Sequence, residues 1–510
     1  MIKDGKILIG KAEEKEIYLI PSQMNRHGLI AGASGTGKTV TLKVIAESLS
    51  ELGVPTLIAD VKGDLSGMIV EGDLEGISGR LESMGIENYE VRKYPVHFFD
   101  VYQKYGHPVR VKMQDMGPML LARIMGLTEA QEGVLNIIFR IASEMELDII
   151  DLKDLQAMCT YVGEHAKDYT LKYGNVSKQS IGAIQRRLLQ LEEQGGDLFF
   201  GMPSLDIEDW LEREGGCGIM NMLECEELFQ HPLLYSTFLL WMLNELYNRL
   251  PEVGDCDKPK MVFFFDEAHL LFDDAPKQLV DKIEQTVKLI RSKGVGVFFC
   301  TQTPSDIPNS VLAQLSNRIQ HSLRAYTPSE IKAVKLAADS FRQNPDLNTV
   351  ETITSMKTGT ALVSVLDEEG APTMVEKTKI LPPHSSMNIA PEDKVKRYIE
   401  NDSIYGKYEK AFDPNSAYEE MDYIRRQEEH DKAAEEERKK LAKQEEQKAK
   451  EEAREQARRE REAERERARK EKAQSEWSDR LAKKAKTKLE NEALNMGIRS
   501  AKKFLQGLLK

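Results

Sequence analysis

The octet Gly32-Ala33-Ser34-Gly35-Thr36-Gly37-Lys38-Thr39 constrains the fold more than any other stretch. It matches G-x-x-x-x-G-K-[ST] in full. The apolar run Leu29-Ile30-Ala31 precedes it, and a helical run over 40–52 follows. A glycine-rich turn between a buried strand and a helix aims successive backbone N–H groups at one spot. The positive end of the helix dipole lies behind them. That arrangement suits a polyphosphate. Gly32, Ala33, Ser34, Gly35, Thr36, Gly37, Lys38, Thr39 and Val40 are therefore expected to line a nucleotide. Lys38 has the reach for the β- and γ-phosphates of ATP, and the Thr39 hydroxyl is a ligand for Mg2+. A loop of this kind needs a strand beneath it and a helix after it, so an α/β domain is expected.

The rest of the chain agrees. The runs 27–31, 54–60, 96–99, 218–223, 261–265 and 295–301 are apolar through most of their length and read as strands buried on both faces. Helical patterns lie between them, which predicts a mainly parallel sheet. The stretch 116–211 is almost wholly helical and reads as an inserted helical subdomain. Strand-like alternation follows at 317–325, and a hairpin pattern at 360–366 and 373–380. Pro382-Pro383 closes the domain. The predicted division is 1–115 and 212–385 for the two parts of the α/β core, 116–211 for the insertion, 386–420 for a polar linker and 421–510 for a charged helix with a basic tail.

Apolar runs are too short to span a bilayer. The longest helical candidate, 233–246, is interrupted by Ser236, Thr237, Asn244 and Glu245, so no transmembrane segment is expected. No signal-peptide pattern follows Met1. Five cysteines are spread over 159–300 without a CxxC pair, which reads as reduced thiols in a cytoplasmic protein. Charge is uneven. Residues 421–510 carry a net +6 and residues 1–420 a net −19. An acidic body argues against a broad nucleic-acid-binding surface but leaves room for a small basic pore.

A second site element stands far from the first. Met261-Val262-Phe263-Phe264-Phe265-Asp266-Glu267 is an apolar strand ending in two carboxylates. Acids at the edge of a buried strand are costly unless they face a cation or a cleft. Asp266 is expected to hold Mg2+ and Glu267 to take a proton from the attacking water. Gln302, after the strand 295–301, is placed to orient that water or sense the γ-phosphate. Ring-forming ATPases take an arginine from a neighbour to stabilise charge on the γ-phosphate. Arg291 and Arg318 are the two candidates.

From about 423 to 472 the composition turns to Glu, Lys, Arg, Gln and Ala. The i, i+4 pairs Glu435–Lys439, Glu436–Lys440, Glu446–Lys450, Glu455–Arg459 and Glu466–Lys470 favour a long solvated helix. Large apolar heptad positions are scarce, Leu441 being nearly the only one, so a coiled coil is poorly supported. In the last 30 residues Leu489, Leu494, Ile498, Phe504, Leu505 and Leu508 are interleaved with Lys and Arg. That suits a partner, an acidic surface, a membrane face or packing on the protein's own body.

Together the octet, Asp60-Val61-Lys62-Gly63-Asp64-Leu65-Ser66-Gly67, the FFFDEAHLL run at 263–271, Arg291-Ser292-Lys293-Gly294-Val295-Gly296-Val297, Thr301-Gln302-Thr303-Pro304 and Gln314-Leu315-Ser316-Asn317-Arg318 resemble the HerA/FtsK superfamily. The resemblance is closest to the bacterial YjgR-type family of HerA-like C-terminal domain proteins and covers about residues 1–390. It implies an additional-strand, RecA-like P-loop NTPase fold and Mg-ATP hydrolysis. It further implies a hexameric ring, an arginine finger in trans with Arg291 the better-aligned residue, and DNA as the substrate of a helicase-like translocase. The alternative is a nucleotide-switched scaffold or regulatory ATPase whose C-terminal helix recruits a protein partner.

Overall fold

The structure, a computed structural model, describes residues 1–254, 256–272 and 277–506. The chain divides into two compact units, Met1–Asp422 and Tyr423–Lys510.

The first unit is built on a thirteen-stranded sheet. Strands β1 (Ile2–Lys3), β2 (Lys6–Ala12) and β3 (Lys15–Leu19) open the chain. Then come β4 (Gly28–Ala31), β5 (Thr56–Asp60), β6 (Val96–Asp100) and β7 (His107–Pro108). After the helical insertion a small hairpin, β8 (Arg213–Glu214) and β9 (Cys217–Gly218), stands outside the sheet. The sheet resumes with β10 (Met220–Glu224), β11 (Met261–Phe265), β12 (Val295–Thr301), β13 (Asn317–His321), β14 (Thr360–Ser364) and β15 (Glu376–Ile380). Its order is β1-β2-β15-β14-β13-β4-β12-β11-β5-β10-β6-β7, with β3 also paired to β2. From β13 through β7 every pairing is parallel. The remainder is antiparallel.

The central strands are apolar at nearly every position because both faces are covered. In β11 the side chains alternate. Phe263 and Phe265 stack on one face with centroids 6.1 Å apart, and Phe264 packs on Phe298 at 5.4 Å on the other. All three are fully or almost fully buried, each contributing ~2–3 kcal/mol by removal from water. At Gly28 the close fit leaves no room for a side chain: an added Cβ would lie 2.1 Å from Phe298 Cε1.

Helix α1 (Lys38–Glu51) is buried around most of its circumference, charged residues included. Lys43 Nζ donates to Ser386 O at 2.6 Å. The Glu47 carboxylate accepts from His384 N at 2.7 Å, Ser385 N at 3.3 Å and Ser385 Oγ. Burial pushes the Glu47 carboxyl up to about 7.

The insertion between β7 and β8 holds the helices Met113–Ile124, Glu129–Glu144, Leu152–Glu164, Ala166–Tyr173 and Lys178–Leu191. Capping boxes start two of them, Thr128 with Gln131 and Asp151 with Asp154. Trp210, just beyond, packs edge-on against Phe99, Phe238 and Trp241.

Three expectations changed. The N-terminal strands β1–β3 had no counterpart in the sequence reading. The strand read at 317–325 stops at His321, because Ser322 O turns to accept from Ala33 N at 2.9 Å and so supports the glycine-rich loop. Segment 386–420, read as a linker, is docked. It carries the helix Glu392–Glu400, and Asp402 Oδ2 accepts from His97 Nδ1 at 2.8 Å and His107 Nε2 at 3.0 Å. Polar clasps of this kind leave no hydropathy signal.

The second unit is helical through its described length, as part of the helix Ala417–Gln506. The pairs Glu435–Lys439, Glu446–Lys450, Glu455–Arg459 and Glu466–Lys470 form as expected. Trp477, Leu481, Leu489, Leu494, Met496 and Ile498 are exposed. The tail positions Phe504, Leu505 and Leu508 fall outside the residues whose side chains are described. Among the described residues no helix is long and apolar enough to cross a membrane. Among the described residues no disulfide joins any of the five cysteines.

Candidate functional site

Parallel strands end on the same edge of a sheet, so the loops after β4, β5, β11, β12 and β13 are neighbours. The glycine-rich loop follows β4. Gly35 and Gly37 hold φ of 75° and 111°, which L side chains rarely adopt. Gly32 N donates to Thr301 O at 3.1 Å, tying the loop to the end of β12. Gly359 N donates to Thr36 O at 3.0 Å from the far side. His321, at the end of β13, is buried beneath. Its Nε2 and Thr41 Oγ1 are 2.8 Å apart, and burial lowers the imidazole to about 4, so the ring is neutral at pH 7.

Lys38 is buried, and its ammonium donates to Gly32 O at 2.6 Å and Ala33 O at 3.3 Å. Burial lowers its pKa, with the Glu267 charge the main opposing influence. Thr39 is half-buried one position further on.

Asp266 and Glu267 leave the end of β11, both buried. Burial pushes the Asp266 carboxyl up to about 6, against the pull of the Lys62 ammonium. A carboxylate and the Thr39 hydroxyl are the hard oxygen donors that Mg2+ takes, and a cation would return the buried Asp266 to its charged form. The donor set therefore fits a magnesium ion. Glu267 sits at φ 46°, ψ 48°, a left-handed conformation that costs a non-glycine residue ~1 kcal/mol or more. Its Oε1 pairs with Lys62 Nζ at 2.5 Å. Its Oε2 lies 3.3 Å from His269 Nδ1 without a hydrogen bond. Burial opposes ionisation of Glu267, yet the Lys62 ammonium outweighs it and holds the carboxyl below its ordinary value.

The loop after β5 supplies Lys62 and Asp64. Asp60, buried at the strand end, accepts from Lys62 N at 3.2 Å, Gly63 N at 2.9 Å and Leu65 N at 3.0 Å. Burial pushes its carboxyl up to about 7, with the nearby carboxylates adding to the effect. Gln302 is exposed at the tip of β12, between the strand of the loop and the strand of the acidic pair.

The two arginines lie elsewhere. Arg291 opens the turn before β12 and is exposed at the opposite edge of the sheet, with the seven residues of β12, ~20 Å of strand, between that turn and Gln302. Arg318, near the start of β13, is on that edge too. Its guanidinium donates to Leu315 O at 3.0 Å, Leu312 O at 3.1 Å and Ser340 O at 3.0 Å, which fixes the turn before the strand. Neither arginine reaches the site of its own chain. Sequence reasoning missed Lys62, Asp64 and His321. The charged run after the apolar strand at 54–60 was a signal for the first two, whereas His321 alternates in an ordinary strand pattern.

A strand inserted between the one that carries the glycine-rich loop and the one that carries the acidic pair defines the additional-strand P-loop NTPases. Here β12 stands between β4 and β11. The sequence model of the family described as Helicase HerA-like C-terminal matches residues 6–504, and the chain belongs to that family of P-loop ATPases. Among curated proteins it is similar to the DNA double-strand break repair helicase HerA of Saccharolobus solfataricus, 21% identical over 369 residues. That match covers 71% of this chain and 66% of the relative, just under two thirds of its length. Among solved structures it is similar to the bacterial conjugative coupling protein TrwBdeltaN70, at a TM-score of 0.51 and 15% identity, over 76% of this chain and 92% of that one. The plasmid coupling protein TrwB in complex with the non-hydrolysable GTP analogue GDPNP matches with the same TM-score, identity and coverage. At that identity the likeness concerns the fold.

Proposed function

We propose that the chain hydrolyses Mg-ATP as one subunit of a hexameric ring that moves DNA. The observation that carries this reading is the division of the machinery between two edges of the sheet. The P-loop, acidic pair and Gln302 share one edge, and Arg291 lies on the other. A site completed by arginine therefore calls for a second copy of the chain. Arg318 has three of its donors engaged by carbonyls, which leaves Arg291 as the finger.

In this reading the loop N–H groups and Lys38, with three donors, bind the β- and γ-phosphates. Thr39 and Asp266 hold Mg2+, which neutralises phosphate charge when bound. Glu267 takes a proton from water as the water oxygen bonds to the γ-phosphorus. The bond to the β–γ bridging oxygen breaks and ADP leaves. Gln302 orients the water. Cysteines without a disulfide fit a reducing, cytoplasmic setting.

The test is phosphate release with and without duplex and single-stranded DNA at low salt, together with native mass in the presence of nucleotide. DNA-stimulated turnover and a hexameric mass are expected. Turnover indifferent to DNA removes the motor. A second reading, a nucleotide-switched scaffold, is favoured by the exposed apolar residues of the second unit, Trp477 and Leu481 among them. Deletion of 423–510 then abolishes partner recovery and leaves turnover intact.

A further inference from the structure

Lys62 makes the closest polar contact of the proposed base, 2.5 Å from Nζ to Glu267 Oε1. The two partners are unequal. The Glu267 side chain is 7% exposed and that of Lys62 is 41%, so the lysine enters from the solvent side and can leave the same way. Its backbone cannot follow. Three N–H groups of the turn, those of Lys62, Gly63 and Leu65, are held by the Asp60 carboxylate. Movement is thus confined to the lysine side chain.

An alternative acceptor stands on the same turn. Asp64 Oδ1 is buried and has no hydrogen-bond partner among the described residues. Leaving such an oxygen unmatched costs ~1–3 kcal/mol, so a donor that reaches it is rewarded. Lys62 and Asp64 already interact electrostatically. The other charged or titratable groups around Glu267 are Lys38 from α1, Cys300 from β12, and Asp266 and His269 from its own turn. None of these is both mobile and paired to Oε1. Oε2 is buried beside His269, so while Lys62 occupies Oε1 neither oxygen of the carboxylate is open to an attacking water.

We infer that Lys62 is a lock on Glu267, opened when its ammonium passes from Glu267 Oε1 to the buried Asp64 Oδ1. This rests on Glu267 being the base for ATP hydrolysis. The turn after β5 is then a gate on turnover. Among the described residues the ion pair of Lys62 goes to Glu267, and its charge reaches Lys38 of the P-loop only through space, so the effect falls mainly on kcat and changes KM little.

The experiment is steady-state phosphate release across an ATP titration, with the full chain. Lys62→Met keeps the stem and removes the ammonium. It should raise kcat about tenfold, the scale of one charge-assisted hydrogen bond released, with KM within about twofold. Lys62→Arg keeps the lock and should stay near the parent rate. Asp64→Asn takes away the charged acceptor and should slow turnover. The double variant Lys62→Met/Asp64→Asn should run at the rate of Lys62→Met alone, because an absent lock needs no acceptor. Lys62→Gln serves where Lys62→Met does not fold. A fall in kcat or a rise in KM for Lys62→Met overturns the lock, as does an Asp64→Asn effect that persists in the double variant. The hydrolysis reading is separable from it. Parent turnover lost in Glu267→Gln but not raised in Lys62→Met sinks the lock alone. No turnover in parent and Lys62→Met alike sinks both.

Discussion

Replacing Glu267 by glutamine separates chemistry from architecture with one atom. The amide has the size of the carboxylate and keeps an oxygen for Lys62. Its backbone faces the same left-handed φ of 46°, so the strain at this position is unchanged. What the fold loses is the charge of one ion pair. Lys62 is 41% exposed and can be rehydrated, so that loss is discounted to ~1 kcal/mol or less. On the proposed mechanism, what catalysis loses is the base. General-base contributions run to about 10²–10⁴ in rate, or ~3–5 kcal/mol of barrier. The catalytic effect outweighs the structural one severalfold. Glu267→Gln should therefore melt within a few degrees of the parent and bind nucleotide with the parent's affinity by calorimetry. Its phosphate release should fall by at least about a hundredfold in kcat. Turnover within about threefold of the parent, in protein that still binds ATP, would refute the assignment of the base.

Three further perturbations have calculable outcomes. Asp402→Ala leaves the buried imidazoles of His97 and His107 without their shared acceptor and should cost ~3 kcal/mol in urea unfolding; an unchanged midpoint would show the clasp to be incidental. Glu51 is half-buried, and desolvation opposes its ionisation, but His384, Tyr94, the N-terminus and Arg92 outweigh that and draw its carboxyl from 4.5 down to about 2. A depressed folded pKa stabilises above the unfolded value and is lost on acidification. Glu51→Gln should thus be ~3 kcal/mol less stable at pH 7, and the gap should close as pH falls from 4.5 to about 2; a gap constant with pH contradicts the linkage. Gly28→Ala drives a Cβ to within 2.1 Å of the Phe298 ring and should destabilise by ~1–3 kcal/mol; a thermal melt matching the parent would mean that β4 yields easily.

What could be read from the sequence was what is local. The octet at 32–39 has its strand and helix beside it, and the runs at 261–265 and 295–301 are apolar end to end. Their strand bounds came out as Met261–Phe265 and Val295–Thr301. Contacts set by sheet register were not legible. Lys62 meets Glu267 only because β5 pairs with β11, Ala59 opposite Phe265. The N-terminal strands were missed because two of the three are short and lysine-bearing, and β2 is interrupted by a bulge between Leu8 and Gly10. The docked segment after Pro383 was read as a linker because imidazoles and carboxylates fasten part of it, while the apolar anchors Ile404 and Tyr408 are too sparse to form a pattern.

The buried charges of α1 bear on the order in which the chain is made. Glu47 finds its donors at Ser385, 338 residues further along, and Lys43 its acceptor at Ser386, 343 residues further. Until those residues leave the ribosome, the helix behind the nucleotide loop holds two ionisable groups that it cannot bury without large cost. A nascent chain that has translated its P-loop therefore does not yet have a settled one. The helix can lock down only when the far end of the first unit arrives, so ATP can meet a finished loop only after nearly the whole unit has been synthesised.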